Sequence, residues 1–167
     1  PTAAVDGNST TKVAYTMTGT GVSGKVAQET LGSTIRTGHV SYDIAIDDVD
    51  EGDGVDTGVG LTTFLRLAST AGEAGSLQVV TEGTGALSFF RFQVKADGCG
   101  VDTSIDSSAG TVLDDTFYTA DIYWTEPSSA GAADGTVSFY IDDALVGTAT
   151  GVDMDSQWDI TDVLAGM

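Results

Sequence analysis

The segment from Phe117 to Gly151 constrains the fold more than any other part of the chain; it reads FYTADIYWTEPSSAGAADGTVSFYIDDALVGTATG. Apolar and polar residues alternate on both sides of a central loop that is rich in small residues. Such alternation predicts strands with one buried face, and Asp142-Asp143 predicts the turn between two of them. Either centring of this turn puts Val146 on the same face as Phe139. We therefore expect an antiparallel hairpin with one apolar face.

Similar alternation recurs along the rest of the chain, between turns rich in Gly, Ser and Thr. It predicts strands at Val13–Met17, Val40–Ile46, Leu61–Ala68, Leu77–Thr81, Ala86–Lys95 and around Trp158–Ile160, and a strand pair within Lys25–Arg36. Ala86–Lys95 is the longest of these and is apolar on both faces, which predicts a central or covered strand. Asp97–Gly110 is expected to be an irregular connection. No segment favours a helix, so residues 1–167 predict one domain built as a two-sheet sandwich.

The hairpin segment resembles the late hairpin of laminin-G-like and concanavalin A-like jelly rolls, the lectin and glucanase type. The residues that carry the resemblance are Trp124, Gly135, Val137, Phe139, Tyr140, Ile141, Asp142, Val146 and Gly147. Asp143 stands where that family usually has Gly, and Asp tolerates a left-handed turn better than most residues. The resemblance implies an all-β fold, a single jelly-roll β-sandwich of two antiparallel sheets. It implies little about function, because this fold carries lectins, adhesion modules, hydrolases, lyases and virion proteins.

The charge balance excludes two classes of partner. The chain has 25 acidic residues against six Lys and Arg, a formal net charge of −19, so binding to nucleic acid or to an anionic membrane is not expected. The excess of acids favours either a saline environment or an acidic surface that keeps an abundant protein soluble. No apolar run is long enough to span a bilayer. Cys99 is the single cysteine, so an intrachain disulfide is excluded.

The start of the chain lacks a basic region followed by an apolar one, so the sequence predicts no signal peptide. Pro1 fits two interpretations. It could follow an initiator Met that is removed before a small residue, which would mean cytosolic synthesis, or it could mark a processing boundary.

Catalytic patterns are absent from the sequence. His39 is the single histidine, which excludes a metal site built from several histidines, and its place at a strand start is typical of a structural or surface residue. The five glutamates never form the Glu-x-Asp-x-x-Glu spacing of glycosidases on this fold. The Arg, Gln-x-His and Tyr-rich strand motifs of sandwich-fold alginate lyases are also missing. The sequence therefore predicts that the protein is not an enzyme.

The acidic loop at residues 47–56 is the candidate metal site. Asp48, Asp50 and Asp53 offer hard oxygen ligands beside glycines, which suits Ca²⁺ as a possible cofactor. Proteins that resemble this chain often bind Ca²⁺ at a sandwich edge. The ligand spacing is not that of an EF-hand, and the alternative is a solvated acid cluster.

Tyr123 is the candidate ligand-binding residue. Lectin sites on this fold use an exposed aromatic side chain to stack on a sugar. The alternation that buries Ile122 and Trp124 points Tyr123 outward, while Phe117, Tyr140 and Trp158 are further aromatic candidates. The alternative is that such residues pack in the core or as cross-strand pairs.

The sequence as a whole predicts a non-catalytic structural or adhesive surface protein. The expected setting is the surface of a virion, as a decoration or fibre component of a phage or archaeal virus assembled in the host cytoplasm. Its partner would be a capsid or other virion protein, or a surface glycan, and a homo-oligomer is compatible with this. The alternative is a glycan-binding module of a larger secreted or cell-surface protein.

Overall fold

The structure is a computed structural model, and it describes residues 2–5, 11–14, 27–46, 60–81, 88–95, 101–113, 116–129, 131–154 and 158–165. These residues are almost entirely strands and turns. Within these ranges, no helix is long and apolar enough to cross a membrane.

Twelve strands follow one another in the described residues. They are β1 (Thr2–Val5), β2 (Thr11–Ala14), β3 (Ala27–Ile35), β4 (Gly38–Ile46), β5 (Gly60–Ser69), β6 (Gly72–Thr81), β7 (Phe89–Lys95), β8 (Val101–Asp106), β9 (Thr116–Thr125), β10 (Ala133–Ile141), β11 (Ala144–Asp153) and β12 (Ile160–Ala165).

The strands form two main antiparallel sheets and one small one. A four-stranded sheet has the order β11-β10-β9-β4, and a six-stranded sheet has the order β3-β12-β5-β6-β7-β8. β1 and β2 pair with each other in a separate two-stranded sheet. All strand pairs are antiparallel. The predicted fold class, an all-β jelly-roll sandwich of two antiparallel sheets, is confirmed.

The core lies between the two main sheets, where the apolar half of each alternating strand points inward. The ring of Phe92 from β7 lies 6.0 Å from that of Phe139 from β10, and the ring of Phe90 meets Tyr118 edge-on at 5.0 Å. Both phenylalanine–aromatic pairs join one sheet to the other. Because the inward positions are fully removed from water, their burial supplies most of the favourable free energy of folding.

The β10–β11 hairpin turns at Asp142 and Asp143, as predicted. Both residues have positive φ angles, 49° and 64°, the conformation that a two-residue hairpin turn requires. Asp can occupy this region because its short side chain bonds locally. The Asp142 carboxylate also accepts a hydrogen bond of 2.8 Å from the backbone N–H of Thr119, which ties the turn to the neighbouring strand β9. Val146 packs against the core that contains Phe139, also as predicted.

The other strand predictions differ from the structure at several places, and β1 (Thr2–Val5) was not predicted at all. Residues 27–35 form the one continuous strand β3 and not a strand pair, because β12 pairs along it. β8 lies inside 101–106, where an irregular connection was expected; its inward Ile105 completes the core. β7 is shorter than predicted but lies between β6 and β8, with Phe89 buried on its outer side, so the prediction of a central strand is confirmed.

Candidate functional site

Polar side chains line up across the outer face of the six-stranded sheet. The strand register places Arg66 of β5 beside Ser76 of β6, which in turn lies beside Gln93 of β7. In the neighbouring row, Gln78 of β6 lies beside Arg91 of β7. Side chains alternate between faces along a strand, so inward residues such as Leu77 and Phe92 fix these polar residues outward.

The floor of this region is a buried amide cluster. Ser76 and Gln78 are 1% and 4% exposed. The Nε2 of Gln78 donates hydrogen bonds to Ser76 Oγ at 3.2 Å and to Gln93 Oε1 at 3.0 Å. Gln78 Oε1 is buried and has no hydrogen-bond partner. A buried oxygen without a donor is costly in free energy, so this amide is an unusual feature of the outer sheet face.

Charged side chains surround the floor. Arg91 donates from Nε and Nη2 to the two carboxylate oxygens of Asp106, at 2.9 and 2.7 Å. Glu73 lies between two bases: Lys95 Nζ is 2.9 Å from Oε1, and Arg66 Nε is 3.6 Å from Oε2. This region, called the basic patch below, comprises Arg66, Glu73, Ser76, Gln78, Arg91, Gln93, Lys95 and Asp106. It holds three of the six Lys and Arg residues of a chain with net charge −19.

The outer face of the four-stranded sheet carries a different cluster. The rings of His39 on β4 and Tyr123 on β9 stack at 4.1 Å with an angle of 9° between their planes. Tyr140 on β10 meets Tyr123 at 5.5 Å and 77°. His39 Nε2 lies 2.8 Å from Asp121 Oδ1, within hydrogen-bond distance. With Asp143 at the hairpin turn, these residues form what is called the aromatic patch below.

The sequence-predicted candidates fall in different places. Tyr123 is 46% exposed, and with Asp121, Tyr140 and Asp143 it lines a shallow depression. Its role in binding stays a prediction. Asp48, Asp50 and Asp53 lie outside the described residues. Among the described residues, no group of three His, Cys, Asp or Glu side chains is arranged to hold a metal ion.

Of the other aromatic candidates, Trp158 is buried and its Nε1 donates to the carbonyl of Lys95 at 2.8 Å. Phe117 is 77% exposed but does not line the depression. Trp158 therefore belongs to the core, as the alternative interpretation of the aromatic residues expected.

Sequence reasoning missed the basic patch. The available signal was the alternation of Arg91, Gln93 and Lys95 along one strand in a chain that has only six bases. Gln78 gave no such signal. It stands out only because it is buried, and alternation along a strand does not predict that a polar side chain on an outer sheet face is buried.

Two sequence-based comparisons with known proteins found nothing: no family model matches the chain, and neither does any curated protein. Solved structures do match. A variant of the alginate lyase Aly36B in complex with an alginate trisaccharide has a TM-score of 0.53 and 16% identity, over 85% of this chain and 64% of that one. A second structure of alginate lyase Aly36B has a TM-score of 0.49 and 17% identity, over 84% of this chain and 62% of that one. The chain thus spans less than two thirds of the length of either lyase.

The likeness to the first of these structures corrects the main functional expectation. A non-catalytic virion component was predicted, but the better-matching structure with this fold is that of an alginate lyase that holds an oligosaccharide. The prediction that the protein is not an enzyme is wrong for the same reason. It rested on missing sequence motifs. The chain has the all-β sandwich fold of these alginate lyases.

Proposed function

We propose that this chain is a glycan-active domain that binds an acidic polysaccharide across the basic patch and cleaves it there by β-elimination. The observation that carries the proposal is the gathering of Arg66, Arg91 and Lys95 on one outer sheet face, beside the amide cluster of Ser76, Gln78 and Gln93. We also propose that the chain belongs to the laminin-G-like or concanavalin A-like superfamily. The proposal includes glycan binding, which the sequence offered as the alternative function.

Charge favours the basic patch over the rest of the surface. A polyanion approaching a protein of net charge −19 is repelled wherever acids dominate. The basic patch has three bases against two acids, Glu73 and Asp106, so its own charges favour an anionic chain. The match to a lyase structure that contains an alginate oligosaccharide agrees with this preference, since alginate is a polymer of uronates.

Binding needs groups for both the carboxylates and the hydroxyls of a uronate. A guanidinium group such as that of Arg66 pairs with a carboxylate through two parallel hydrogen bonds, and Arg91, which is paired with Asp106, adds its positive charge. The amide cluster of Ser76, Gln78 and Gln93 lies beside these bases and supplies polar groups for the sugar hydroxyls. Because the amide is already held by Ser76 and Gln93, little side-chain entropy is lost on binding.

The cleavage step needs an acid and a base. When a cation neutralises the carboxylate of a uronate, the proton on the adjacent carbon becomes more acidic. In the proposed step, Glu73 takes that proton while the bond from the neighbouring carbon to the glycosidic oxygen breaks and a carbon–carbon double bond forms. Lys95, 2.9 Å from Glu73, gives its proton to the leaving oxygen.

The test is a purified-protein assay with alginate and polygalacturonate, followed by the ultraviolet absorbance of the new double bond. Glu73→Gln should reduce the rate by a factor of about 10² or more, as for loss of a general base. Arg36→Gln is the matched control, because Arg36 is also ion-paired, to Glu126 and Asp159, but lies outside the basic patch. No absorbance change with any acidic polysaccharide, or equal loss in both variants, would contradict the proposal.

A further inference from the structure

We propose that the aromatic patch is a second glycan site, which binds one uncharged sugar residue of a polysaccharide. This inference concerns the opposite sheet and does not rest on the function proposed for the basic patch. It is built on the depression lined by Asp121, Tyr123, Tyr140 and Asp143, with a volume of about 240 Å³.

The rings at this depression are held in place before any ligand arrives. Tyr123 is stacked on His39, and His39 is in turn held by its hydrogen bond to Asp121. Tyr140 meets Tyr123 nearly at a right angle. An aromatic side chain that is exposed yet fixed loses little conformational entropy when a ligand packs against it. Exposed aromatic rings with polar groups beside them are the usual make-up of a sugar site.

The charges at the depression determine the class of sugar. Two of the four lining residues are carboxylates, and within the described part of the chain Asp143 makes no hydrogen bond or ion pair. The basic group of this patch is His39, which Asp121 already engages. A uronate or a sulfated sugar would bring like charge against Asp121 and Asp143 and is disfavoured. A neutral sugar instead offers hydroxyl groups that donate to carboxylate oxygens.

The size of the depression limits how much of a glycan is bound. Pockets for whole ligands are roughly 300–1,000 Å³. At about 240 Å³, this depression falls below that range and is open to the surface, which fits a single sugar unit with the rest of the chain in solvent.

The experiment is isothermal titration calorimetry with neutral gluco- and manno-oligosaccharides, an amine-bearing chitosan oligosaccharide and an alginate oligosaccharide. Neutral oligosaccharides should bind. Tyr123→Ala should lower their affinity about tenfold or more, because the ring that stacks on the sugar is lost. Phe117→Ala is the matched control, an exposed aromatic on the same strand outside the depression, and should leave affinity unchanged. Asp143→Asn, an exposed turn substitution, tests the same site if Tyr123→Ala fails to fold.

Three results would overturn the inference. They are no binding of any neutral oligosaccharide, equal losses in Tyr123→Ala and Phe117→Ala, and preferential binding of the acidic or the amine-bearing oligosaccharide that depends on Tyr123 or Asp143.

Discussion

The two outer faces of the sandwich are built by the same rule and have opposite chemistry. On the six-stranded sheet, the outward positions carry Arg66, Arg91 and Lys95 over a buried amide floor. On the four-stranded sheet, they carry stacked rings and carboxylates at Tyr123 and Asp121. The inward positions of both sheets are equally apolar. The difference shows that the core fixes which positions point outward but leaves their chemistry free, so each face can be specialised separately.

The core joins the two faces, so its loss should have the largest effect. Phe139→Ala removes a fully buried ring that lies 6.0 Å from Phe92 across the sheets, and should lower the free energy of unfolding by about 3–5 kcal/mol. Urea denaturation measures this, and binding at both patches should fall with the folded fraction. A loss of under ~1 kcal/mol, or loss of binding at one patch alone, would mean that the faces do not share a core.

A single substitution should change ligand binding at one face and leave binding at the other face intact. Arg91→Gln removes the guanidinium that pairs with Asp106 in the basic patch. We expect the affinity for acidic oligosaccharides to fall about tenfold or more, while neutral oligosaccharides are unaffected, because the aromatic patch lies on the other sheet. Calorimetry with both ligand classes measures the split. Equal losses for both classes would show one shared site in place of two.

Salt should affect the two faces differently and stabilise the whole domain. Added NaCl screens the repulsion within a chain of net charge −19, so the melting temperature should rise. The same salt should lower the affinity for acidic ligands at the basic patch and leave the affinity for neutral ligands unchanged.

Thermal melts in NaCl, in CaCl₂ at equal ionic strength and in chelator also test the proposed calcium ligands Asp48, Asp50 and Asp53. Stabilisation by Ca²⁺ beyond that of NaCl would support a bound ion. A melting temperature insensitive to every salt would contradict the electrostatic account.

The sequence predicted the parts of this molecule that burial dictates. Strand β4 and the β9–β11 region follow from alternation because each buried face repeats every second residue. β8 was missed, since Val101–Asp106 is mostly polar and pairs at the sheet edge through its backbone. Tyr123 could be placed outward from its neighbours Ile122 and Trp124. The basic patch could not be assembled, because Arg66, Gln78 and Lys95 come together only through the register of three strands.

The smallest expected effect is a pH dependence at the edge of the six-stranded sheet. Hydrogen bonds from Gln28, Thr30 and Thr161 lower the pKa of the Asp162 carboxyl below its usual value. A lowered pKa in the folded state means that this contribution to stability is present above about pH 4 and is lost as the pH falls through the folded value. Asp162→Asn should therefore slightly lower stability at neutral pH and flatten its decline in acid. Denaturation at several pH values checks this, and an unchanged acid decline would contradict it.

The most direct test of two separate faces is to map where an acidic glycan lies. In a heteronuclear NMR titration with an alginate trisaccharide, the account predicts that the backbone amide signals of Ser76, Gln78, Arg91 and Gln93 shift, together with the side-chain amide of Gln78. The amide signals of Asp121, Tyr123 and Tyr140 should stay in place. Shifts confined to the four-stranded sheet, or no shifts at saturating trisaccharide, would contradict the assignment of the acidic glycan to the basic patch.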